Sequence, residues 1–215
     1  MARKSRAKQF PKRRGPQREP YPRILIVCEG SKTEPNYFRE MIDHFKLSTA
    51  NVVVDGSSDS APISVVRHAK KEYKKDKSFD QVYCVIDKDQ HASYKQALAQ
   101  INDFNPKNVL QAICSVPCFE FWLLLHFVKI TKLFAPSGKR SPCGQVERDL
   151  KSFLPNYDKG KQGVFLQVVE HLDVAIKHAE QVNKLAAQSD TDNPSTQICV
   201  LVKDLRDLKN SNKST

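Results

Sequence analysis

Three acids carry the first chemical argument. Glu29 directly follows the apolar run Ile24 to Cys28, and Asp87 and Asp89 follow the run Val82 to Ile86. Short unbroken apolar runs of this kind suit strands buried on both faces of a parallel sheet. An acid just past such a strand stands at the edge where open α/β sheets place their ligands. If the strand continues, Asp87 and Asp89 point the same way and Lys88 points away, so the pair can grip one cation. Hard oxygen ligands with open positions suit Mg²⁺ or Mn²⁺, which orients phosphate oxygens and activates water. Taken singly, an acid after a strand is usually a turn former or helix cap. The triad needs its two strands to be neighbours.

Other residues could join this chemistry. Glu34 lies where a helix should begin, so it can reach a metal or serve the helix dipole. Glu120 sits among Phe119, Phe121 and Trp122, an apolar setting in which a carboxylate needs a metal or an ion-pair partner. Lys32 and Lys88 lie beside the acids, and Lys159 and Lys161 flank Gly160, all candidates for phosphate contacts. A loop lysine is as readily just solvated. His126, Trp122, Phe119 and Phe121 read as core residues rather than as a catalyst and a base-stacking platform. Glu29-Gly-Ser-Lys-Thr33 looks like a phosphate loop but lacks the G-x-x-x-x-G-K-[ST] spacing, which excludes ATP hydrolysis on that motif.

The elements that must position these residues alternate. After the first strand Gly30 permits a sharp turn, Thr33 can cap a helix with Pro35 in its first turn, and Tyr37, Phe38, Met41, Ile42 and Phe45 keep helical spacing. Asn51 to Asp55 reads as a second strand. Ser60 and Pro62 open a helix whose apolar face is Ile63, Val66, Ala69 and Tyr73 and whose outer side is rich in lysine. The third strand runs into Asp87. A helix through Tyr94, Leu98 and Ile101 and a fourth strand from Asn108 to Val116 follow. This β-α-β-α-β-α-β order implies right-handed crossovers and a mainly parallel sheet flanked by helices. Phe119 to Phe127 reads as a buried helix. From Gln145 on the chain reads almost wholly helical, with one long helix through Val164, Val168, Leu172, Ala175 and Ala179.

With 40% apolar residues the chain can form a packed core. Its longest apolar stretch, Phe121 to Phe127, is far too short to span a bilayer, and the N-terminus lacks an apolar signal segment. Six cysteines without a CxxC pair suit reduced thiols in a cytoplasmic protein; a zinc site from Cys114, Cys118 and Cys143 matches no common spacing. The net charge is +11. Much of it crowds into residues 1–22, Arg13 and Arg14 included, which read as a disordered basic arm able to hold a nucleic-acid backbone or to act as a solvated tail. Residues 23–209 read as one unit with its core at about 23–116, and 210–215 should fray.

Ile-Val-Cys-Glu29-Gly30 followed by Val-Ile-Asp87-Lys-Asp89 resembles the TOPRIM domain of topoisomerases, primases and OLD-type nucleases. More closely, Glu29 to Phe38, Asp87-Lys-Asp89, Pro117-Cys-Phe-Glu-Phe-Trp-Leu-Leu-Leu-His126, Tyr157-Asp-Lys-Gly-Lys161 and Asn193-Pro-Ser-Thr196 resemble the RloB family. The resemblance implies a TOPRIM-like, Rossmann-like α/β fold with a helical C-terminal portion. It implies a Mg²⁺- or Mn²⁺-dependent endonuclease cutting RNA such as tRNA, or DNA, in phage defence by abortive infection. An ABC-type ATPase encoded alongside would be its partner, as is similar to the TOPRIM effectors of the AbiL and PARIS systems. Glu29, Asp87 and Asp89 are then the catalytic metal ligands, and Glu34 resembles a second glutamate of OLD-type sites. A homodimer is left open. Where TOPRIM's second motif often has a glycine, this chain has Gln90-His91-Ala92. The alternative is a non-catalytic TOPRIM-like module that binds nucleic acid or scaffolds an ATPase.

Overall fold

The computed structural model describes residues 22–49, 51–56, 61–88 and 91–211, with side chains up to residue 208. The basic arm with Arg13 and Arg14, the acid Asp89 and the last four residues lie outside the described residues. Strands β1 (Ile24–Cys28), β2 (Val52–Gly56), β3 (Gln81–Asp87) and β4 (Leu110–Val116) run parallel in the order β2-β1-β3-β4. The fold is α/β, as the alternation of apolar runs and amphipathic segments implies.

Strand alternation divides the core in two. Ile24, Ile26 and Cys28 of β1, Tyr83 and Val85 of β3 and Ile113 of β4 face one layer, which includes α1 (Thr33–Phe45). Leu25, Val27, Val82, Cys84 and Ile86 face the other, formed by α2 (Pro62–Lys75) and α3 (Tyr94–Asn102). The chain leaves β1 over the first face to reach β2, then returns past β1 to β3 over the second. Opposite directions on opposite faces keep all crossovers of one hand. The connections leaving β1 and β3 therefore diverge, and the crevice outside their C-terminal ends is the sheet's topological switch point.

The first face is closed by α4 (Glu120–Leu124), α5 (Pro142–Lys151), α6 (Val164–Val168), α7 (Leu172–Gln188) and α8 (Ile198–Ser211). Phe119, Phe121, Trp122, Leu123 and Leu124 are fully enclosed there, each side chain contributing about 1.5–3 kcal/mol by burial. Among the described residues no helix is long and apolar enough to cross a membrane. The six cysteines are free thiols.

Two expectations change. The single long helix from Val164 is broken by a 3-10 turn at Val169–His171. The Glu40 carboxylate on α1 accepts the Gly163 and Phe165 N–H groups at 2.5 and 2.9 Å, tying the start of α6 to α1, whereas α7 packs on α4 and α8. The turn absorbs that change of partner. The C-terminal part is also not wholly helical. Ser195–Thr196 forms β5, antiparallel to the end of β4, with Ser195 opposite Val116 and Thr196 opposite Ser115.

Candidate functional site

β1 and β3 are neighbours, with Cys28 opposite Val85, so Glu29 and Asp87 meet at the switch point. Glu29 Oε2 accepts the Asp87 N–H at 3.1 Å, and the Glu29 N–H donates to Val85 O at 3.1 Å. Gly30 then turns the chain at φ +74°, a left-handed conformation that costs glycine little. Asp87 follows the Tyr83 and Val85 alternation and faces the side occupied by α1 and α4. Lys88 faces the other way and holds Asp192 at 2.5–2.7 Å.

α1 and α4 bring two more acids to this edge. Glu34, in the first turn of α1, is 7% exposed and Glu120, the first residue of α4, is fully buried. Burial lifts the Glu34 carboxyl to about 8, with Glu120 and Glu29 adding to the rise and Lys159 opposing it. The Asp87 carboxyl is likewise raised well above the usual range, by desolvation first and then by Glu34, Glu120 and Glu29, against a hydrogen bond from the Phe119 backbone. Asp87 is of intermediate exposure as a residue, yet its carboxyl group is enclosed. Four carboxylates thus share one corner, where Glu29 and Glu120 disfavour charge on Glu34 and Asp87.

The loop before α6 supplies the only counter-charges at Glu120 among the described residues. Tyr157 Oη donates to Glu120 Oε1 at 3.0 Å, and Lys159 Nζ reaches the same oxygen at 3.2 Å. Burial and Glu120 push the Tyr157 hydroxyl up, while the charge of Glu120 holds the Lys159 ammonium above its ordinary value against desolvation. Glu120 Oε2 is buried and has no hydrogen-bond partner among the described residues. The loop is pinned on α1. Gly160 N–H donates to Thr33 Oγ1 at 2.9 Å and Asn36 Nδ2 donates to Gly160 O at 3.3 Å. Gly160 takes φ +85°, and a Cβ there would lie 2.9 Å from Lys32 Cδ. Thr33 therefore does not cap its helix. Lys32 occupies the cap position and the Thr33 hydroxyl serves the distant loop instead.

Of the expected site residues, Glu29, Glu34, Asp87 and Glu120 come together at this corner. Lys159 is exposed like Lys32 and Lys161 but ties its ammonium to Glu120, and Lys88 is turned to Asp192. The four acids offer oxygen donors, a set that suits Mg²⁺ or Mn²⁺, and the partnerless Glu120 oxygen is a group that a cation would satisfy. Among the described residues no group of three or more His, Cys, Asp or Glu side chains is arranged to hold a metal ion. That also leaves the Cys114, Cys118 and Cys143 combination without a zinc site.

A family model described as RloB-like protein matches residues 24–205. The chain belongs to the RloB-like family. No curated protein and no solved structure matches it. The span matched to the RloB-like family begins at β1 and ends in α8, so it takes in both strands of the switch point and the loop that carries Tyr157 and Lys159.

Two residues at this corner were not expected from the sequence. His91 Nε2 lies 3.3 Å from Glu29 Oε1, and its only sequence signal is its place shortly after Asp87. Tyr157 stood out only as part of the motif Tyr157 to Lys161, and its partner Glu120, 37 positions away, was not legible. His126 and Trp122 are core, as expected. Trp122 Nε1 donates to Tyr37 Oη at 2.9 Å, and His126 Nδ1 lies 3.1 Å from Trp122 O.

Proposed function

We propose that this RloB-like chain is a metal-dependent nuclease that cleaves phosphodiester bonds at the switch-point corner. The observation that carries the reading is the crowd of Glu29, Glu34, Asp87 and Glu120, two of them driven toward the neutral form by burial and by one another. Like charges gathered at a buried edge raise the energy of the fold unless a cation joins them. Asp87, Asp89 and Glu29 would hold Mg²⁺ or Mn²⁺, with Glu34 and Glu120 as further oxygen donors. The metal supplies charge neutralisation at the phosphate and an activated water. Glu29 is placed to accept a proton, and His91 beside it is placed to hold or pass that proton on. The lysines Lys32 and Lys161 on the exposed rim attract the phosphate backbone.

The TOPRIM relation, the abortive-infection role, tRNA among the substrates and the ATPase partner are part of this proposal. They rest on the sequence resemblance described above. A non-catalytic binding or scaffolding module is the second reading, and it is favoured by the way Lys159 and His91 already pair with one oxygen each of Glu120 and Glu29 from within the chain.

The test is to express the chain with the ATPase encoded beside it, trigger growth arrest, and sequence the ends of cellular RNA and DNA. Discrete new ends that vanish in Glu29→Gln support the nuclease. Growth arrest with intact RNA and DNA overturns it in favour of the second reading.

A further inference from the structure

A groove of about 630 Å³ runs along the outer edge of β4, on the side of the sheet to which Lys88 turns. Hydrogen bonds from Val82 N to Val109 O and from Lys88 N to Ser115 O set the phase of the β3–β4 ladder. The odd-numbered residues of β4 therefore turn their N–H and C=O groups to β3, and the even-numbered ones turn theirs outward. At the upper end the outward groups are taken. Val116 faces Ser195 of β5, and Gln197 imitates a strand residue, its Oε1 accepting the Cys114 N–H at 3.0 Å and its N–H donating to Cys114 O at 2.8 Å. Below that point the outward groups of Ala112 and Leu110 have no partner among the described residues.

We infer that this groove is a docking site for an extended segment of a partner protein, which adds to the sheet as a strand continuing the line of β5 and Gln197. Three observations select this occupant. The groove floor offers unpaired backbone donors and acceptors at a strand's two-residue spacing, which only another extended backbone matches throughout. The walls are α3, with Leu98 and Ile101, and the end of α7, with Ala186 and Ala187. They favour small or apolar side chains at alternate guest positions, and the two alanines leave room for them. A second copy of this chain cannot offer its own β4, because that edge is sunk between the same two helices, and its other edge, β2, comes flanked by α1. A single unflanked strand fits where a sheet edge does not.

The test reads peptide binding and amide exchange rather than cleavage, so its outcome is distinguishable from that of the nuclease reading. A displayed library of random peptides is selected on the full chain, and the enriched peptides are synthesised. They should slow hydrogen exchange at the Ala112 amide, and should lose affinity when alternate guest amides are N-methylated. Ala187→Arg fills the groove from an exposed position of α7, and Leu98→Lys fills it from α3. Each should weaken peptide binding at least about tenfold, with melting unchanged in Ala187→Arg and lowered in Leu98→Lys, which loses packing against the core. Failure to enrich any peptide that distinguishes the parent chain from both variants would overturn the proposal. So would bound peptides that leave Ala112 exchange unaltered.

Discussion

The two ends of α4 bury polar groups in opposite ways. Around Trp122 the indole N–H donates to the Tyr37 hydroxyl, which burial pushes well up, and His126 is held neutral with its pKa brought down to about 4 by burial. The groups there are uncharged, although His126 Nε2 has no hydrogen-bond partner among the described residues, and T-shaped contacts of Tyr37 with Phe38, Phe119 and Phe165 enclose them. Around Glu120, two residues earlier, carboxylates are pressed together and one oxygen is left without a partner. The first arrangement serves the fold. The second works against the fold, as a site that serves the proposed chemistry would.

That contrast predicts opposite responses to substitution. The largest effect is expected at the acid corner. Glu29→Gln keeps side-chain volume but removes the proton acceptor, so cleavage should fall by about 10²–10⁴-fold. Measured side by side, its melting temperature should change little. A normal rate with lowered melting would make Glu29 a structural residue.

At the other end the sign is set by protonation. The pKa of His126 is lowered to about 4 from an ordinary 6.5, so the unfolded chain binds the proton first as pH falls. Its contribution is fully present above about 6.5 and is lost as pH drops through 4, up to about 3 kcal/mol for the single group. His126→Asn should flatten the melting curve against pH across that window. An unchanged slope would mean that His126 charges freely in the fold.

Tyr37→Phe strands the buried Trp122 N–H and should destabilise by about 1–3 kcal/mol without touching metal response. The smallest effect has the other sign. Asp87→Asn removes one of the mutually repelling charges while its amide oxygen can keep the Phe119 hydrogen bond, so the metal-free protein should melt at the same temperature or slightly higher. A clear fall in melting would place Asp87 among the fold-forming residues and erase the contrast.

The layout of the sheet was legible because each buried strand is a compact apolar run and each helix carries its own periodic face. Glu29 and Asp87 were legible for the same reason, since a strand's end locates them. What escaped depends on contacts far apart in the chain. Ser195–Thr196 has no apolar pattern and becomes a strand only because β4 offers an edge. Thr33 has the right type for a cap, but Gly160, 127 positions away, claims its hydroxyl. Glu120 was legible as an acid needing a partner, whereas Tyr157 and Lys159 as that partner were not. The turn at Val169–His171 reflects a change of packing partner that helical periodicity does not record.

The central claim is that the acid corner is a cation site, and Mn²⁺ titration followed by thermal melting tests it most directly. A ligand that binds only the folded state stabilises it by mass action, about 2.7 kcal/mol at a hundredfold excess over its dissociation constant. The melting temperature of the parent chain should rise with millimolar Mn²⁺, and Asp87→Asn and Asp89→Asn should each abolish the rise while Tyr37→Phe retains it from a lower starting point. Equal responses of the parent chain and both aspartate variants would contradict the account.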